Sequence, residues 1–186
     1  MGLLDPLRGH GIRDRIRWFA HAATPSVVLD ELTHRRSQRE RRENRSDGAW
    51  DLSWIEVTPN CRIAVFWSVV PGVGSGPSAS VYVHDSEVMR LDCFGADEGH
   101  MHLNPTQVEA LRPVSDPRVY FEPGDRGRHV QRARFELATN LPAALAANRL
   151  RRVRSADIPV EAVTTAAATM ATSMAILVDR HGSGVE

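Results

Sequence analysis

Four side chains able to do chemistry lie close together in this chain: Arg90, Asp92, His100 and His102. In Val88–Phe94 the apolar Met89, Leu91 and Cys93 alternate with Arg90 and Asp92, and in His100–Leu103 the two histidines alternate with Met101 and Leu103. A strand sends successive side chains to opposite faces, so both segments read as strands that put all four polar groups on one side of a sheet. Three uses of such a cluster compete. In the first, His102 acts as base and His100 as acid on a phosphodiester, with Asp92 orienting His102 and Arg90 clamping the anion; RNA or a nucleotide is then the substrate and no cofactor is needed. In the second, Asp92, His100 and His102 hold a divalent transition metal such as zinc. A cation at Arg90 opposes that use unless a carboxylate lies between it and the metal. In the third, the four residues form a polar layer that only binds or supports.

The two strands need a connection, and Gly95-Ala96-Asp97-Glu98-Gly99 reads as a five-residue hairpin loop. Pairing Phe94 with His100 then sets Cys93 opposite Met101, Asp92 opposite His102 and Leu91 opposite Leu103. Upstream, Trp50–Thr58 and Cys61–Val70 flank Pro59-Asn60. A two-residue turn there places Trp54 opposite Val65 and Leu52 opposite Trp67, an aromatic patch expected under covering helices. Pro71–Ser78 reads as a flexible loop; its glycines are followed by neither Lys nor a helix, so it is no phosphate cradle. Ser80–His84, a turn at Asp85-Ser86, Glu87–Phe94 and His100–Leu103 extend the meander, with Arg118–Glu122 as a further edge strand.

Helices are expected before and after this sheet in sequence, covering one of its faces. Ile12, Ile16, Phe19, Ala20 and Ala23 recur at helical spacing, Thr24-Pro25 restarts the chain, and 34–45 is polar on every face, a charged spacer. Asn104-Pro105 opens a helix that stops before Pro113. Val130, Ala133, Leu137 and Leu141 form a stripe that Pro142 breaks or kinks, a second helix runs toward Arg151, and Asp157 caps a last helix carrying Val163, Ala167, Met170, Met174 and Leu177. The fold class expected is α+β: an antiparallel meander of five to six strands packed against N- and C-terminal helices, as one domain. Its parts are an N-terminal helical arm (1–48), a β core (49–123) and C-terminal helices (124–186).

The 186 residues suit one domain, and 42% hydrophobic with 25% charged residues is globular composition. All 23 basic residues are Arg, which excludes Schiff-base chemistry, a lysine phosphate loop and a Ser-Lys dyad. The same usage, with abundant Ala and Val, points to a high-GC bacterial genome of actinobacterial type. The zero net charge hides segregation: ten Arg against six acids in 1–46, four against twelve in 47–125, nine against five in 126–186. The arms can neutralise the acidic middle internally or meet an anionic partner. Cys61 and Cys93 form no CxxC, and Cys93 falls on the apolar face, where a thiol is inert packing. No signal peptide is read, so cytoplasm is the expected location. The charge-free run 162–178 is read as a packed helix rather than a membrane span, with its stripe also suited to a homodimer or a small protein partner. His84 is read as exposed, and His10, His21 and His129 as isolated helix residues.

The strand Glu87–Phe94 with its R-x-D-C-F, followed by His100-Met101-His102, resembles an uncharacterised bacterial domain family with that motif on its sheet. More distantly, the order Arg, Asp, clustered His on a small sheet is similar to TumE-type toxins of toxin–antitoxin pairs, which would imply a toxin activity and a small antitoxin partner. This chain departs from that pattern: its histidines are interrupted by Met101, and its helical arms have no counterpart there.

Overall fold

The computed structural model describes residues 49–105 and 118–182. The expected helices of the N-terminal arm, the charged run 34–45 and most of the helix opened by Asn104-Pro105 lie outside these residues. Six strands follow one another in sequence and in space: β1 (Ala49–Thr58), β2 (Cys61–Val70), β3 (Gly74–Val83), β4 (Ser86–Asp92), β5 (His100–Leu103) and β6 (Arg118–Tyr120). Every pairing is antiparallel. Three helices come after, α1 (Arg126–Ala146), α2 (Arg151–Arg154) and α3 (Val160–His181). The architecture is α+β, an antiparallel meander with C-terminal helices on one face.

That face follows from alternation. Cys61, Ile63, Val65 and Trp67 of β2, Ala79, Val81 and Val83 of β3, Met89 and Leu91 of β4 and Met101 of β5 are all buried in one apolar core. Against them pack Val130, Ala133, Leu137 and Leu141 of α1 and Val163, Ala167, Met170, Met174 and Leu177 of α3. The α3 stripe expected to serve self-association is therefore covered within the chain. Among the described helices only α3 is long and apolar enough to cross a membrane. On its outer side Thr164, Thr165, Thr169 and Thr172 donate their hydroxyls to carbonyls one turn back.

Several local expectations are corrected. A bulge between Glu56 and Thr58 moves β1 by one residue, so Trp54 pairs with Ala64 and Ile55 with Ile63. A one-residue slip reverses faces. Trp54 is thus 47% exposed on the sheet side away from the helices, while Trp67 is fully buried beneath them. A second irregularity leaves Leu52 exposed and pairs Trp50 with Trp67. The β2–β3 loop is shorter than expected, because Gly74–Ser78 belong to β3. Gly76 lies so close to the Cys93 carbonyl that a Cβ there would collide with it, and the Cys93 amide donates to the Pro77 carbonyl at 3.0 Å. The β3–β4 turn is His84-Asp85, both left-handed at φ 47° and 65°, with Val83 paired to Ser86. This is the backbone that a two-residue hairpin with matching twist requires. Helix α1 runs through Pro142, since Leu141, Ala144 and Leu145 continue its stripe into the core. Asp125 caps it, accepting from the Arg128 amide at 2.7 Å. Asp157 does not cap α3; Pro159 does, through its carbonyl, which accepts from the Val163 amide at 3.1 Å.

Candidate metal centre

The face away from the helices carries the polar cluster, and the sheet builds it in two cross-strand rows. One runs Phe66, Ser78, Asp92, His100, Tyr120; the next runs Ala64, Ser80, Arg90, His102, Arg118. The four expected residues thus share one face. Their register is two residues from the expected one: Asp92 pairs with His100, Arg90 with His102 and Leu91 with Met101. A shift of two keeps every side chain on its face, so the facial assignment survives while the partners change. The cause is the connection, which starts after Asp92 and includes Cys93 and Phe94. It turns through left-handed Gly95 and Ala96 and is pinned by a bridge from Ala96 to Gly124.

Asp92 is the centre of the cluster. Ser78 Oγ donates to its Oδ1 at 2.6 Å, and Arg90 Nε lies 3.0 Å from both oxygens. Those contacts leave the outer side of Oδ2, where His100 Nε2 and His102 Nε2 each lie at 3.5 Å. A ligand atom from each of the three residues falls within 4.8 Å of the others. Asp92, His100 and His102 are buried; Arg90, with a side chain 21% exposed, is the member that meets solvent. The partly open hollow expected of a catalytic cluster is thus nearly closed.

Burial alone would raise the Asp92 carboxyl. The Arg90 charge, the neighbouring His102 ring, the Ser78 hydroxyl bond and the His100 ring together outweigh it, holding Asp92 well below the usual carboxylate range. Burial is likewise the leading influence on His100 and lowers it, so the neutral imidazole is favoured. Arg90 is opposed by burial and supported by Asp92 and then Glu87, and it stays charged. The Asp92 carboxylate therefore stands between the guanidinium and the two imidazoles, which answers the objection that Arg90 raises against a metal.

His100 is oriented from behind. Its Nδ1 donates to the Glu98 carbonyl at 2.6 Å, which leaves the Nε2 lone pair facing Asp92. The Glu98 amide donates in turn to the Gly95 carbonyl at 3.1 Å, and the Gly95 amide to His129 Nδ1 at 3.2 Å. His129 Nε2 donates to the Glu122 carbonyl at 3.1 Å, which fixes its tautomer. His129, read from sequence as isolated, is buried in α1 and is the anchor of the loop that carries His100. Sequence reasoning also missed Ser78 and the buried Glu87, which stands in register with Tyr82. The serine was assigned to a loop, and the bulge between Val81 and Tyr82 hides the face of Glu87. The glycines flanking the loop, Gly95 and Gly99, were the available signal for His129: a Cβ on Gly99 would run into its ring.

The remaining candidates separate cleanly. Cys93 is buried in the apolar layer and its thiol is pushed well up by burial and then by Asp92, as befits inert packing. Cys61, raised to about 12 by burial and then by Glu56, is equally unreactive. His84 is half-buried rather than exposed. No family model, curated protein or solved structure matches the chain.

Proposed function

We propose that this protein binds one divalent transition metal, of the zinc type, through Asp92, His100 and His102, as a centre for metal-assisted hydrolysis. The observation that carries this reading is the pair of 3.5 Å separations from Asp92 Oδ2 to the two imidazole nitrogens. They exceed the ~2.7–3.2 Å of a good hydrogen bond. A tetrahedral ion with bonds of about 2.0–2.1 Å spaces its donors roughly 3.3–3.5 Å apart. The donor set fits as well: a carboxylate fixed by Ser78 and Arg90, and an imidazole whose far nitrogen is held by a carbonyl. Three protein ligands leave a position for water or substrate, the arrangement of catalytic rather than structural sites. When bound, the ion supplies Lewis acidity; Asp92 and the two imidazoles hold it, and Arg90 is left to meet the substrate.

The test is metal analysis and calorimetry on the full chain after treatment with chelator. One equivalent of Zn2+ or Co2+ is expected, lost in His100→Ala and His102→Ala. Failure of the wild-type chain to take up either ion sinks the proposal. A second reading keeps the metal-free acid–base roles, His102 as base and His100 as acid on RNA or a nucleotide, as in a toxin-type phosphodiesterase. It is supported by Arg90 Nε spanning both Asp92 oxygens, which keeps that carboxylate ionised beside an imidazole. RNA cleavage that persists in chelator and disappears in His102→Ala would favour it over the metal.

A further inference from the structure

The ligand of this centre can be narrowed, on the proposal that a metal is held there. Arg90 spends only Nε on Asp92, and its guanidinium is steadied by the Phe66 ring, 5.8 Å from the ring centroid. A guanidinium has five N–H donors, so the four on Nη1 and Nη2 remain, and neither nitrogen makes a hydrogen bond among the described residues. The side chains of Asp92, His100 and His102 are 3%, 3% and 7% exposed, against 21% for Arg90. Of the four, the guanidinium is therefore the group most open to solvent. A second cation, Arg118, lies exposed on the edge strand, in register with His102.

Charge decides what such an approach admits. The Arg90 guanidinium is matched by the Asp92 carboxylate that it bonds. A divalent ion leaves the centre with unbalanced positive charge beside a planar fork of donors, the combination that recognises an oxyanion from two sides. We propose that the site takes a small oxyanion of the phosphate class, inorganic phosphate or a phosphate monoester, gripped by the Arg90 Nη groups with one oxygen turned to the metal. Near-closure of Asp92, His100 and His102 disfavours a polymer laid flat across the sheet, so the small ligand is the one the burial fits. Binding is expected to require the metal, because without it the charges balance.

The experiment uses the full chain loaded with Co2+, whose visible absorption reports on the centre, titrated with inorganic phosphate and with acetate as comparison. Wild type, Arg90→Lys and Arg90→Gln are each checked for Co2+ loading before the anion is added. Phosphate is expected to shift the spectrum of the wild type, with affinity roughly tenfold or more weaker in Arg90→Gln and partly restored in Arg90→Lys. Metal-free protein should show no phosphate binding by calorimetry. A Co2+-loaded wild type that ignores millimolar phosphate, or an Arg90→Gln that responds equally, overturns the clamp and leaves the metal site standing. Absence of Co2+ uptake is seen before phosphate enters and overturns the metal reading itself, and this proposal with it. Short single-stranded RNA that displaces phosphate while binding far more tightly would replace the small oxyanion with a polymer.

Discussion

Strand β4 presents the same backbone to two environments. On the helix side Met89 and Leu91 are fully buried in the apolar core beneath α1; on the other side Arg90 and Asp92 are tied to Ser78 and two imidazoles. The apolar side is held by volume and area, so it tolerates any register that keeps parity. The polar side is held by directed contacts a few ångströms long, so it depends on which residue stands opposite which. A shift of two residues between expectation and structure leaves the first unchanged and rewrites the second. A fold can thus be legible where its chemistry is not.

The largest effect should come from breaking the polar side alone. His102→Ala and His100→Ala remove ligands and are expected to weaken Zn2+ binding well beyond the ~10–100-fold that changes behind a ligand cost. Thermal unfolding of the metal-free variants should show only a modest loss, about 1–3 kcal/mol where the Glu98 carbonyl loses its His100 partner. Calorimetry with Zn2+ and melting in chelator check the two halves. A large loss of metal-free stability would make the histidines structural and erase the contrast between the faces.

The complementary break is Leu91→Ala, between Arg90 and Asp92 in sequence but on the opposite face. Its cavity should cost about 2–5 kcal/mol in denaturant unfolding. Metal affinity of the folded protein is expected to change little. If Zn2+ binding collapses with Leu91, the two sides are mechanically coupled through the strand.

What the sequence made legible follows the same division. Alternation placed Arg90, Asp92, His100 and His102 on one face and Cys93 on the other, and with the turn signals it put five strands in meander order and a sixth at the edge. The bulge at Val57 was not legible, because Glu56-Val57-Thr58 carries no Gly or Pro to announce an extra residue, and Trp54 was accordingly assigned to the wrong face. The partner of His129 was not legible either, since Gly95 stands 34 positions away and contributes only its backbone amide. Local periodicity reports which way a side chain points. Contacts between a loop and a distant helix leave no period to read.

That hidden contact should carry an effect of intermediate size. His129→Ala leaves the buried Gly95 amide unpaired, worth about 1–3 kcal/mol, releases the Glu122 carbonyl and frees the loop that sets Glu98 behind His100. Zn2+ affinity should fall on the order of tenfold. His129→Gln, which can accept and donate in the same places, should recover part of it. An unchanged Zn2+ affinity in His129→Ala, at reduced stability, would confine His129 to the fold.

The smallest effect is a pH limb visible only without metal. Burial lowers His100 below its ordinary value, so folding favours its neutral form. A group depressed in this way contributes stability that is fully present above the unfolded value of about 6.5 and is lost as pH falls through the lower, folded value. In chelator, wild-type unfolding free energy should therefore decline from pH 7.5 toward pH 5, and His100→Gln should flatten part of that decline. With Zn2+ bound the wild-type decline should steepen, because protons then compete with the ion for the same Nε2. Parallel wild-type profiles with and without Zn2+ would mean that His100 carries no metal, and would return the polar face to the acid–base reading.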